Sequence, residues 1–425
     1  MMNIGKINNI ARSVTKSKNG RTILSNFGYL ALLQFASYLF PIITVPYLSR
    51  VIGVEGYGKI AFASAVMVWV QTVADWGFLL TATRDIAKCR DNRAEVSRIF
   101  SETFFARCLL AIVSFIFLCL LILIIPDFKE NAGILFITFS MIPGHIMFPD
   151  WFFQAIERMR YTTITNLLVK TVFTIAVFIC IKEKSDYILV PLLTSLGTVV
   201  AGIIAMYLIL KKWRYRLYRV SFYSVISAIK RSTDVFINNL FPNLYNSFSV
   251  VLLGIYGGSV ANGIYSEGNK FANIGQSMLG VVSRVFFPFL ARRIDKHGIY
   301  VLVYMGTTFC IAIALFVSAP WLIGWLYTDE FADAIPVLRI MSISLVFVAL
   351  GTAYGTNYLI LQRQEKILRK IVMWCSLAGL VIAYPLVVHY SYIGVAIIVT
   401  FSRFCLGISC WFTVVRLKKN HKNHN

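Results

Sequence analysis

The sequence predicts an all-α integral membrane protein, its twelve transmembrane helices arranged as two six-helix bundles. Three observations predict it. Of the 425 residues, 58% are hydrophobic and only 14% charged, whereas a soluble chain is nearer a quarter charged. Runs of about 18 or more apolar residues recur along the whole length, each long enough to cross a bilayer as a helix. Lys and Arg residues fall overwhelmingly on one side of a chain threaded in this way.

Taken in order, the apolar runs give spans at about 25–48, 60–82, 106–125, 132–154, 162–181, 187–210, 235–256, 259–283, 300–325, 335–360, 371–389 and 391–415. The third, fifth and eleventh are near the short limit. Before the first lies a basic, polar arm at 1–24, which lacks the pattern of a cleavable signal, so the first span is expected to be an uncleaved insertion signal. Pro41 and Pro46 in the first span, and Pro242 in the seventh, remove backbone hydrogen bonds and can bend their helices.

The segment "KKWRYRLYRVSFYSVISAIKR" at 211–231 is basic and aromatic, with apolar residues at helical spacing. It reads as an amphipathic interfacial helix joining two halves. The expected organisation is an arm at 1–24, a bundle at 25–210, the linker at 211–232, a second bundle at 233–415 and a tail at 416–425. Aligning Gly53 with Gly257 lays "VIGVEGYGKI" over "IYGGSVANGI". Each ends the first span of its half and opens the second, the pattern of an internal repeat with a site between the halves.

The net charge of +22 is explained by topology. With the N-terminus inside, 32 of the 41 Lys and Arg residues lie in inner segments, including six in 84–107. Six are outer: Arg50, Lys59, Lys129, Lys182, Lys184 and Arg339. That asymmetry places both termini in the cytoplasm, where the basic segments meet anionic lipid, and it leaves no need for nucleic acid. The eight cysteines include no C-x-x-C pair and none in an outer loop, so neither disulfides nor a metal centre is expected. No cofactor is expected either.

Three stretches carry a family resemblance: "PYLSRVIGVEGYGKIAFASA" (46–65), "DWGFLLTATRDIAKCRDNR" (75–93) and "PDWFFQAIERMRY" (149–161). They resemble the Wzx-type O-antigen flippases, polysaccharide transporters of the superfamily that includes multidrug and toxin extrusion proteins. Trp151, Phe153, Gln154, Glu157 and Met159 follow the family pattern, with Ala155 where a Gly is usual. The resemblance implies two six-helix bundles related by pseudo-two-fold symmetry, forming a V around a central cavity. It implies translocation of an undecaprenyl-diphosphate-linked oligosaccharide across the bacterial inner membrane. An O-antigen polymerase and a chain-length regulator are its implied candidate partners.

Lys170, Lys270 and Arg403 sit about 9, 11 and 12 residues into their spans, which puts them roughly 13–18 Å deep, near the midplane. A charge there costs at least about 2.5–3.5 kcal/mol, so each is expected to face a cavity or a partner. Three cations around a cavity suit an anionic passenger such as a diphosphate. In the eighth span Asn262, Ser266, Lys270, Asn273 and Ser277 recur at helical spacing and form one stripe. In the seventh, Asn238, Asn239, Asn243 and Asn246 offer amides suited to sugar hydroxyls, or to interhelical hydrogen bonds.

The expected cavity lining is therefore Lys170, Lys270, Arg403, Asn239, Asn243, Asn246 and Asn273. Glu267, three residues before Lys270, can pair with it. Glu267 and Asp75 are the candidates for coupling to H⁺ or Na⁺, although the family pattern supplies no such role at Glu267. Asp75 could equally be the inner rim, and isolated His145 reads as a packing residue. No catalytic residue is expected. A multidrug or cation antiporter of the same architecture is the alternative, and it would want an acidic cavity. A polymerase or glycosyltransferase would need catalytic groups on a large surface loop, and the outer loops are short.

Overall fold

The computed structural model describes residues 18–423. Of the expected arm at 1–24, residues 1–17 lie outside the described residues, as do the last two residues of the tail, and 18–24 are helical. Among the described residues there are helices and connections but no strand.

Helix α1 (Lys18–Asp75) carries the first two spans and breaks at Gly53, whose φ of 64° a side chain would disfavour. It is followed by α2 (Phe78–Lys88), α3 (Arg93–Ile124) and a short turn, α4 (Pro126–Glu130). The fourth span is stepped, as α5 (Ala132–Phe139), α6 (Met141–Met147) and α7 (Asp150–Ala155). The first half closes with α8 (Met159–Cys180) and α9 (Leu189–Tyr207), which runs on as a π-turn at Leu208–Lys212.

The second half opens with α10 (Phe222–Asn243), α11 (Ser247–Tyr256) and α12 (Gly258–Arg292). The aligned glycines thus both mark breaks: α1 turns at Gly53, and Gly257 separates α11 from α12. The half is completed by α13 (His297–Leu326), α14 (Ala334–Leu350) with a π segment at Gly351–Leu359, and α15 (Glu365–Asn423), which breaks at Ser391.

Eight helical stretches among the described residues are long and apolar enough to cross a membrane. Two of them, Leu39–Lys88 with 50 residues and Glu365–Lys419 with 55, are each more than twice the roughly 20 residues a bilayer takes. They turn at Gly53 and Ser391. The short helix α11 and the polar helices α10 and α12 fall outside the eight, and the expected twelve crossings include them.

Two expectations about element boundaries are corrected. The third span does not begin at about 106. The Asn92 side chain accepts from the Ala94 and Glu95 amides and caps α3 at Arg93, so part of the segment assigned to a basic loop is helix. Nor is 211–231 one interfacial helix. Residues 214–221 are not helical, the chain leaving the π-turn through Arg214 at a φ of 56°, and their backbone is tied to α3: the Arg216 amide donates to Ser97 Oγ at 3.1 Å and the Tyr218 amide to Ser101 Oγ at 2.8 Å. Those serines supply backbone partners that a helix would otherwise have provided.

The stretch "PDWFF" forms an aromatic knot. Trp151, Phe152 and Phe153 are buried. Phe152 meets Phe100 and Tyr215 at centroid distances of 5.1 Å, and Phe153 meets Trp213 at 5.7 Å. These edge-on contacts pin the connector to the first bundle. Outward-facing apolar side chains such as Ile116, Leu123 and Leu302 are exposed, which in a bilayer is the lipid face.

The halves touch at both ends of the molecule. At one end α1 crosses α12 so closely that a Cβ on Gly58 would collide with the Ser259 carbonyl, and one on Gly263 with the Val54 carbonyl. Glycine at both positions permits that crossing. Nearby, Glu330 accepts from the Val54 amide at 3.2 Å. At the other end Trp76 stacks on Phe236 with centroids 3.7 Å apart, Thr81 and Ser232 hydrogen-bond at 2.7 Å, and Arg231 reaches Glu102 at 3.2 Å.

Candidate functional site: a two-compartment cavity between the halves

Between these two closures lies a cavity of about 550 Å³. From the first half it is lined by the α1 face that includes Tyr57, Ser64 and Val68, and from the second by residues of α11 and α12, by Asn246 and by Arg403 of α15. The break between α10 and α11 follows Pro242, which cannot continue the hydrogen-bond ladder. Asn243 and Asn246 flank that break and both reach cavity walls. Broken helices are tolerated at this depth where they border a cavity.

Helix α12 contributes the charged wall. Ser266, Lys270 and Asn273 of the expected stripe line the cavity, and Glu267, Asn269 and Gln276 join them. Asn262, of the same stripe, is instead fully buried, with neither amide atom hydrogen-bonded. Glu267 is 2% exposed. It accepts from Lys270 Nζ and, at 2.6 Å, from the hydroxyl of Tyr327, which lies 60 residues away. Lys270 Nζ also sits 5.3 Å from the ring centroid of Tyr57, a cation–π contact.

Arg403 is 7% exposed and donates from Nη1 to Ser344 Oγ at 2.8 Å. No carboxylate among the described residues forms an ion pair with it. Lys270 and Arg403 therefore share one cavity with Asn246 and Asn273. Lys170 does not line it; the residue sits on α8, partly exposed.

A second compartment of about 270 Å³ adjoins the first at Val68 and is lined by Gln71, Thr72, Asp75, Asn239 and Asn243. Asn243 Nδ2 donates to Thr72 Oγ1 at 2.9 Å across the two halves. Asp75 is ion-paired with Arg107 of α3, and His145 and Asp150 lie within electrostatic range of both. The sequence reading missed Arg107 because it placed the residue at the end of a loop. The available signal was "DNRAE", an N-cap with Glu three residues on, which starts the helix at Arg93 and carries Arg107 four turns inward. Tyr57 and Tyr327 carried no local signal at all.

Helices packed as two halves around a polar, cation-bearing cavity define a multi-pass membrane transporter. The chain belongs to the polysaccharide biosynthesis protein family, whose model matches residues 23–294. That is the group to which its sequence motifs bear resemblance. It is 27% identical over 411 residues to a protein of Escherichia coli (strain K12) whose name proposes an O-antigen transporter, covering 94% of this chain and 98% of that one. Its fold is similar to that of the lipid II flippase MurJ in an inward closed conformation, with a TM-score of 0.72 and 14% identity over 90% of this chain and 87% of that one. The outward-facing conformation of a multidrug resistance MATE family transporter is also similar in fold, at a TM-score of 0.54 and 14% identity over 97% and 98% of the two chains.

Proposed function

We propose that this protein is a flippase. It carries undecaprenyl-diphosphate-linked O-antigen repeat units from the cytoplasmic to the periplasmic leaflet of the bacterial inner membrane by alternating access. One observation carries the reading: a cavity shared by both halves holds Arg403, which has no carboxylate partner among the described residues, beside Lys270. A buried, unpaired guanidinium costs several kcal/mol unless a ligand compensates it, and a diphosphate does so with oxygens matched to its fork of donors. The names of the relatives, an O-antigen transporter and a lipid II flippase, support the same substrate class.

Transport here makes and breaks no bond. The two sets of contacts between the halves open in turn. Glu267 and Asp75 are the carboxylates available to couple the movement to H⁺ or Na⁺. A cation or multidrug antiporter fits less well, because Lys270 and Arg403 in the cavity wall would repel a cationic passenger.

The test is complementation of a strain lacking the protein, scored by O-antigen on the cell surface. Lys270→Ala and Arg403→Ala should each reduce display by roughly ten-fold or more, with membrane insertion unchanged. Wild-type display in both variants would sink the cationic cavity.

A further inference from the structure

The two compartments, which meet at Val68, present opposite charges. In the larger one the Lys270–Glu267 pair turns its cation outward: the lysine side chain is 30% exposed and the glutamate 3%. In the smaller one the Asp75–Arg107 pair is reversed, with the aspartate 40% exposed and the arginine 6%. Each pair is neutral overall, but the cavity meets mainly its accessible member. Arg403 adds to the cationic end, and Asn239, Asn243, Gln71 and Thr72 surround the anionic one.

We propose that the Asp75 compartment is the sugar subsite, that it selects neutral or amino sugars, and that it excludes sugars bearing a carboxylate. This rests on the flippase reading and deepens it. A lipid-linked oligosaccharide is itself polarised, with a diphosphate at one end and hydroxyls at the other. The diphosphate takes the Lys270 and Arg403 end, and the sugar extends past Val68 into the second compartment. There the amides donate and accept, and the Asp75 carboxylate accepts from sugar hydroxyls or pairs with an ammonium. Arg107 behind it pairs with Asp75 and fixes its orientation. A uronic or other acidic sugar would bring a second carboxylate against Asp75 in a partly desolvated space, and like charges there are strongly disfavoured.

The experiment uses the purified full chain in detergent and three synthetic probes with one short prenyl chain: the prenyl diphosphate alone, its neutral hexose conjugate and its uronic acid conjugate. Isothermal titration should show the hexose conjugate binding on the order of ten-fold tighter than the uronic one. Asp75→Asn should bring that ratio towards one. Asn239→Asp leaves the Arg107 pair in place and adds an acid to the same compartment, so it should widen the ratio, and it reads the effect even if Asp75→Asn fails to fold. Equal binding of the two conjugates by the unaltered protein, or a ratio that neither variant moves, overturns the sugar subsite while leaving the flippase reading intact. Failure to bind the prenyl diphosphate itself overturns both.

Discussion

The hydroxyl of Tyr327, at the end of α13, donates to Glu267 at 2.6 Å and so binds the turn after α13 to the charged face of α12. The same carboxylate oxygen accepts from Lys270. Glu267 is thus held by two partners, and it neutralises the Lys270 ammonium in the cavity wall. Lys270→Ala leaves a buried carboxylate with a tyrosine alone and should destabilise the protein by about 3–5 kcal/mol. The double change Glu267→Gln with Lys270→Ala removes both charges and should recover much of that loss. Thermal unfolding of the purified variants checks it, and a double variant less stable than Lys270→Ala would contradict it.

Glycines at 58 and 263 let α1 and α12 cross with backbones in contact. Gly58→Val should push the halves apart at that end, costing on the order of 1–3 kcal/mol or more because backbone rather than a flexible side chain must yield. Gly280, where an added Cβ meets nothing within 4 Å, gives the control: Gly280→Ala should be neutral or slightly stabilising. Thermal unfolding of the two variants separates these outcomes.

Thr81 and Ser232 join the halves at the opposite end, 2.7 Å apart. Alternating access requires that contact to open. A double variant, Thr81→Cys with Ser232→Cys, should cross-link under mild oxidation and lose transport, with activity returning on reduction. Full transport by the cross-linked form would show that this end does not open.

Arg403 bonds Ser344 with one nitrogen and lines the cavity. A lysine supplies a charge but not that fork. Arg403→Lys should therefore restore O-antigen display only partly relative to Arg403→Ala, remaining several-fold below the unaltered protein. Full rescue would mean that charge alone suffices.

The sequence alone determined the membrane class, the spacing of the apolar runs and the breaks at Gly53 and Gly257, because apolar length and backbone freedom are local properties. It also revealed the α12 stripe with Glu267 beside Lys270, since three residues along a helix are neighbours whatever surrounds them. It could not say which cation faces which space. By sequence Lys170 and Lys270 are expected at similar depth in their spans, yet of the two only Lys270 lines the cavity. Helical periodicity assigns a residue to a face, and only the packing of other helices decides what that face meets. The same holds for Asp75, which the sequence offered as a carrier of ions or as a rim. Tertiary structure set Arg107 behind it and a cavity in front of it, and so turned the pair's negative end towards the space it lines.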